Sequence, residues 1–283
     1  MSKFRRLYDY LSEEGVVRAD GANVFQPDIL SASDYESIHD RSYLEGLAQH
    51  TLAPQIWRRI GLPWSEGLIE RTLTAPNGTL MAARLALKYG IACHLAGGTH
   101  HAHRDFGSGF CILNDLAYTA QTLLDSGEVS RVLIFDLDVH QGDGTAAILA
   151  REPRAFTCSL HCEKNFPFRK SASDLDIGLE KGVEDEAYLE LVSATLNELL
   201  SRLKPDLVLY DAGIDIWSED ALGFLDISWQ GMVKRDEIVF RTLVENGVPV
   251  ASVIGGGYDA NHRRLAHRHA IAIEVADSLS RAF

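Results

Sequence analysis

The stretch Val132–Thr145 reads VLIFDLDVHQGDGT. It opens as an apolar run and continues into Asp136, Asp138 and His140, spaced two apart. On an extended backbone, residues two apart project to the same side. Carboxylate and imidazole are ligands that a catalytic zinc takes, and three protein ligands with one open position mark a catalytic rather than a structural site. A strand ending in part of a metal site predicts that other segments supply a third ligand, a base and an electrophilic group.

Further apolar runs at Ile91–Leu95, Leu207–Tyr210, Val248–Ile254 and Ala155–Leu160 read as buried strands beside Val132–Leu137. Helical patterns lie between them. Asn77 can cap a helix through Lys88, Ile112–Leu124 forms another, and Asp185 begins a long one to about Leu203. Ser228 can cap a helix through Val244, and Ala266–Leu279 makes the last. Strands alternating with helices predict an α/β fold: a mostly parallel central sheet with helices on both faces. No repeat or linker divides the chain, so residues 1–283 read as a single domain.

Ligands of open α/β sheets bind beyond the carboxyl ends of the strands. Those ends read AGGTHHAH, FDLDVHQGDG, DAGID and GGGYD, so four separate segments carry glycines or titratable groups to one rim. Asp138, His140 and Asp215 are the candidate metal ligands. Neighbouring His100 and His101 diverge too much to bind one metal, and suit general base and acid work beside an activated water. Asp136 and Asp143 can orient them. Tyr258, after three glycines, can offer a phenolic O–H to an oxyanion.

Other features are set aside. A net charge of −13 argues against nucleic-acid binding and mildly favours cationic substrates. No apolar run approaches the roughly 20 residues of a membrane span. MSKFRRLYDYL lacks the apolar segment of a secretory signal, which predicts a cytoplasmic protein. Cys93, Cys111, Cys158 and Cys162 read as inert buried thiols. His161 lies between two of them, but no second ligand pair accompanies it. NHRRLAHRH, with His262, His267 and His269, reads as a solvated helix start.

GGTHHAH, GFCILND, DLDVHQGDGT, SLH, AGID and GGGY, in this order over 97–258, resemble the histone deacetylase superfamily of the arginase–deacetylase fold. SWQGMVKRDEIVF at 228–240 is most similar to class IV deacetylases and their bacterial relatives. The arginase branch is less similar, because its D-x-H-x-D pattern is here D-L-D-V-H. The resemblance implies zinc (or ferrous iron) at Asp138, His140 and Asp215. It pairs His100 with Asp136 and His101 with Asp143, and makes Tyr258 the carbonyl-polarising phenol. Gly109, Phe110 and Phe166 would wall an acyl-lysine tunnel. A structural potassium ion would take oxygens of Asp136, Ser159 and Leu160 and the backbone carbonyls of Asp138 and His140.

Two departures stand out. The sequence starts at MSKF, where the family has an N-terminal strand and a loop beside the active-site mouth, so the start is either truncated or dispenses with them. Leu222 stands where polyamine-selecting members place a gatekeeping glutamate, which weakens that reading. The expected activity is metal-dependent removal of acetyl or longer acyl groups from lysine side chains of proteins or peptides. A deacylase of small acylated amines such as acetylpolyamines is the alternative. A non-catalytic acyl-lysine-binding scaffold is disfavoured, because every element of the machinery is present.

Overall fold

In the computed structural model, which describes residues 2–281, six strands form one sheet in the order β1-β6-β5-β2-β3-β4, every pair parallel. They are β1 (Ile91–Cys93), β2 (Val132–Asp136), β3 (Ala155–Cys162), β4 (Leu175–Leu179), β5 (Leu207–Asp211) and β6 (Val250–Val253). The helices are α1 (Ser2–Glu13), α2 (Arg41–Ala48), α3 (Pro54–Ile60), α4 (Glu66–Tyr89), α5 (Asp115–Ser126), α6 (Asp143–Leu149), α7 (Asp185–Leu203), α8 (Trp229–Glu245) and α9 (His262–Ser280).

Alternation along the central strands builds two layers. Leu133, Phe135, Val208 and Tyr210 pack with α7 and α8 through Tyr188, Val192, Leu196, Val239 and Phe240. Val132, Ile134, Leu207 and Leu209 face the other way, toward Leu80 and Ala83 of α4 and Leu116 and Leu123 of α5. Both faces are therefore buried, as the unbroken apolar runs require. α1 lies on α9, with Leu7 and Leu11 against Ala266 and Ala270.

From β2 the chain winds outward to β3 and β4, then returns to β5 on the other side of β2. The order thus reverses between β2 and β5, where an open α/β sheet leaves its binding crevice. Asp136 and Asp211, their last residues, are register partners at that point. Leu137 N–H donates to Asp211 O at 3.1 Å, so the two chains leave the sheet side by side.

Several element readings need correction. β4, LDIGL, was not anticipated; it is an edge strand whose alternating burial is too short a signal to stand out from a loop. α4 begins at Glu66, with Ser65 Oγ accepting from Leu68 N–H, and not at Asn77. Pro76 lies inside that helix, where Leu68, Thr72, Pro76, Leu80 and Ala83 form one buried stripe whose packing outweighs the missing backbone donor. α5 starts three residues late, at Asp115, capped by Asn114, and α9 starts four residues early, at His262, capped by Asn261. The α9 start is solvated over Asn261–Arg264 as read, but the later part of that segment is corrected: Arg268 and His269 are buried, because that face of the helix turns inward. All four cysteines are free. Among the described residues no helix is long and apolar enough to cross a membrane.

Candidate active site

Donor atoms of Asp138, His140 and Asp215, all buried, lie within 4.8 Å of one another. His140 Nδ1 is 3.1 Å from both Asp138 Oδ1 and Asp215 Oδ2. Backbone amides hold the remaining oxygens: Gly256 N–H donates to Asp138 Oδ2 at 2.6 Å, and Val139 N–H to Asp215 Oδ1 at 2.9 Å. Residue 256 has to be glycine for that approach. A Cβ there would sit 2.1 Å from Asp215 Oδ2 and 2.6 Å from Asp138 Oδ2.

Burial, then the charge of Asp138, pushes the Asp215 carboxyl up to about 7. His140 moves the opposite way: burial opposes its charge, but hydrogen bonds to Asp138 and Asp215 raise it to about 10. Two carboxylates converging in the interior on a single imidazole are a set that a divalent cation would neutralise. The donor chemistry, one nitrogen and two oxygens, fits zinc or ferrous iron.

His100 and His101 stand beside this set. His100 Nδ1 lies 2.8 Å from Asp136 Oδ2 and His101 Nδ1 lies 2.7 Å from Asp143 Oδ1. The two side chains do not diverge as expected: held by Asp136 and Asp143, they turn their Nε2 atoms toward each other at 3.1 Å, and His100 Nε2 is 3.8 Å from Asp138 Oδ1. Burial disfavours a charged His100, yet Asp136 and Asp138 raise it well above the usual histidine range. Burial and then the neighbouring His100 lower His101 to about 4. Asp143 opens α6, so its position is set by the helix start.

Tyr258 is partly buried, and its backbone N–H donates to Asp220 Oδ2 at 2.7 Å. Burial, then Asp215 and Asp138, hold its phenol well above the ordinary value, so the O–H remains a donor. Its ring lies 5.7 Å from Phe110 and 6.4 Å from His140. Phe166 meets His101 edge-on at 4.8 Å. Gly109 fits between those two rings with φ +52, where a Cβ would stand 2.5 Å from His101 and 2.9 Å from Phe166. Leu222 is exposed, and its carbonyl accepts from Asn165 Nδ2 at 2.8 Å, which ties its loop to that of Phe166. Ser159 is the register partner of Asp136 on β3, and its Oγ lies 3.0 Å from His161 Nδ1; Leu160 follows, fully buried.

The sequence reading missed several supporting side chains. Asp115 accepts from Gly98 N–H, Thr99 N–H, Thr99 Oγ1 and Thr79 Oγ1, and so clamps the segment leading into His100. Arg235, fully buried on α8, donates to the carbonyls of Gly213 and Ala212 and to Asp236. It thereby anchors the turn that carries Asp215. A signal existed: Met232, Arg235, Asp236, Val239 and Phe240 share one helical face, so a charged pair had to be buried with them. Asp211 carries two buried oxygens without a hydrogen-bond partner, 3.9 Å from His100 Nδ1 at the nearer one.

The family model described as histone deacetylase domain matches residues 1–273. This chain belongs to the histone deacetylase family. The chain is 49% identical over 276 residues to an uncharacterized protein of Picosynechococcus, covering 98% of this chain and 91% of that one. It is 29% identical over 273 residues to histone deacetylase 2 of Arabidopsis thaliana, covering 93% and 70%. It is 31% identical over 260 residues to the acetoin utilization protein AcuC of Staphylococcus aureus, covering 83% and 66%. As a deacetylase-family member it is a hydrolase acting on amides, and its all-parallel α/β domain agrees with the arginase–deacetylase fold. The family is metal-dependent, and this member buries two His/Asp groups able to hold an ion.

Proposed function

We propose that residues 1–283 act as one catalytic unit, a zinc- or ferrous-dependent deacylase of lysine side chains in proteins or peptides. The observation that carries this reading is the 3.8 Å contact of His100 Nε2 with Asp138 Oδ1, which puts an imidazole pair against a three-donor cation site. Held by Asp138, His140 and Asp215, the cation would polarise the amide carbonyl and lower a water's pKa toward about 7.

The aliphatic stem of the acyl-lysine lies along Phe110 and Phe166, with Leu222 at the rim. His100 and His101 act on the attacking water through their Nε2 side as one proton-sharing pair, one imidazole donating to the other, while Asp136 and Asp143 accept from the two Nδ1–H groups. Tyr258 donates its O–H to the developing oxyanion. A protonated imidazole then delivers a proton to the leaving amine, releasing free lysine and a carboxylate. A potassium ion beside the site would use the oxygens of Asp136, Ser159 and Leu160.

A panel of acyl-lysine peptides of rising chain length, with acetylputrescine beside them, each with and without chelator, tests the reading. Chelator-sensitive hydrolysis of the peptides is expected. Preference for acetylputrescine would move the substrate class to small acylated amines. Metal-replete protein that leaves every acylated amine intact would overturn the proposal.

A further inference from the structure

His103 is the third imidazole of the GGTHHAH segment, and the reaction above leaves it without a role. Its Nε2 lies 2.9 Å from Asp143 Oδ2, while Asp143 Oδ1 accepts from His101 at 2.7 Å. One carboxylate thus bridges two imidazoles, a buried one and a partly exposed one. Burial opposes ionisation of Asp143, but the hydrogen bonds from His101 and His103 outweigh it and hold the carboxyl below the usual range.

His103 is itself fixed on several sides. Its backbone N–H donates to Phe106 O at 2.9 Å, and its carbonyl accepts from His39 Nδ1 at 2.9 Å. The imidazole stacks on the Phe106 ring at 4.4 Å, and the Arg59 guanidinium lies over that same ring at 3.5 Å. A residue that merely closed a turn would not need a ring held this firmly against a buried carboxylate.

We infer that His103 is a positioning residue: by occupying Asp143 Oδ2 it fixes the carboxylate rotation that aims Oδ1 at His101 Nδ1. That in turn keeps His101 Nε2 turned toward His100, on the side where the attacking water would stand. The consequence for turnover rests on the deacylase reading, whereas the hydrogen-bond relationship does not.

The test compares His103→Leu with His103→Gln, whose amide can still donate to Asp143. Steady-state hydrolysis of an acetyl-lysine peptide is followed alongside solvent exchange of the His101 Nδ1 proton in 15N-histidine-labelled protein. In His103→Leu, kcat is expected to fall about 10- to 100-fold with KM and bound metal unchanged. The His101 Nδ1 proton should exchange faster with water, and His103→Gln should restore most of both. Wild-type kcat and a slow proton in His103→Leu would overturn the inference, as would an equal loss in both variants. If His103→Leu folds poorly, His103→Asn, too short to reach, makes the same comparison. A wild-type protein that hydrolyses no acylated amine would sink the deacylase reading alone, because the proton exchange still decides the role of His103.

Discussion

The Nε2 atoms of His100 and His101 face each other at 3.1 Å, a separation at which one imidazole has to donate to the other. Two protons there would repel, and so would two bare lone pairs. His100, surrounded by Asp136, Asp138 and Asp211, is the more basic member, and His101 stays neutral. On the proposed reaction the pair handles protons as a unit, so losses on removing its members should not add. His100→Ala and His101→Ala are each expected to lower kcat by about 10²- to 10⁴-fold. The double variant should be little worse than the worse single one. Multiplying losses in steady-state kinetics would contradict the shared-proton account.

On the proposed reaction, Tyr258→Phe removes the O–H offered to the oxyanion without touching Asp138, His140 or Asp215. A fall in kcat of about 10²- to 10³-fold is expected, with bound metal unchanged by elemental analysis. Parallel loss of metal and activity would assign the phenol to holding the site together instead.

Arg235 carries no reacting group, yet it donates to the carbonyls of Gly213 and Ala212 just before Asp215. Arg235→Met leaves Asp236 buried without its cation, which should cost about 3–5 kcal/mol of stability by denaturant unfolding. Metal affinity should fall about 10- to 100-fold, because the turn carrying the candidate ligand Asp215 loses its anchor. Unchanged affinity at reduced stability would confine Arg235 to the core.

His39 predicts acid sensitivity. Its Nδ1–H donates to His103 O, and its Nε2 accepts from Asn114 N–H at 3.0 Å, so protonation would set two donors against each other. Burial lowers it from 6.5 to about 4. The unfolded chain therefore binds the extra proton first, and stability falls as pH drops from 6.5 toward 4, by roughly 3 kcal/mol from this group. His39→Gln should flatten that part of the pH profile in urea unfolding. An identical slope in the variant would remove His39 as its source.

The sheet and the donor set were legible for one physical reason. Strands buried on both faces must be unbroken apolar runs, and groups at their carboxyl ends meet where the strand order reverses. Asp138 and Asp215 could thus be placed together while 77 residues apart in sequence. What stayed hidden depends on partners distant in the chain. Asp115 and Arg235 hold backbone groups of other loops, and no local pattern names those loops. Asn77 read locally as a helix cap, and the packing of α4, which runs through Pro76, overruled it.

The most direct test of a metal-dependent deacylase is turnover of an acetyl-lysine peptide by metal-stripped protein titrated with zinc. Activity should be absent at first, rise in proportion to added zinc and level off at about one equivalent, as expected of a catalytic site with three protein ligands. Full turnover by the stripped protein would contradict it.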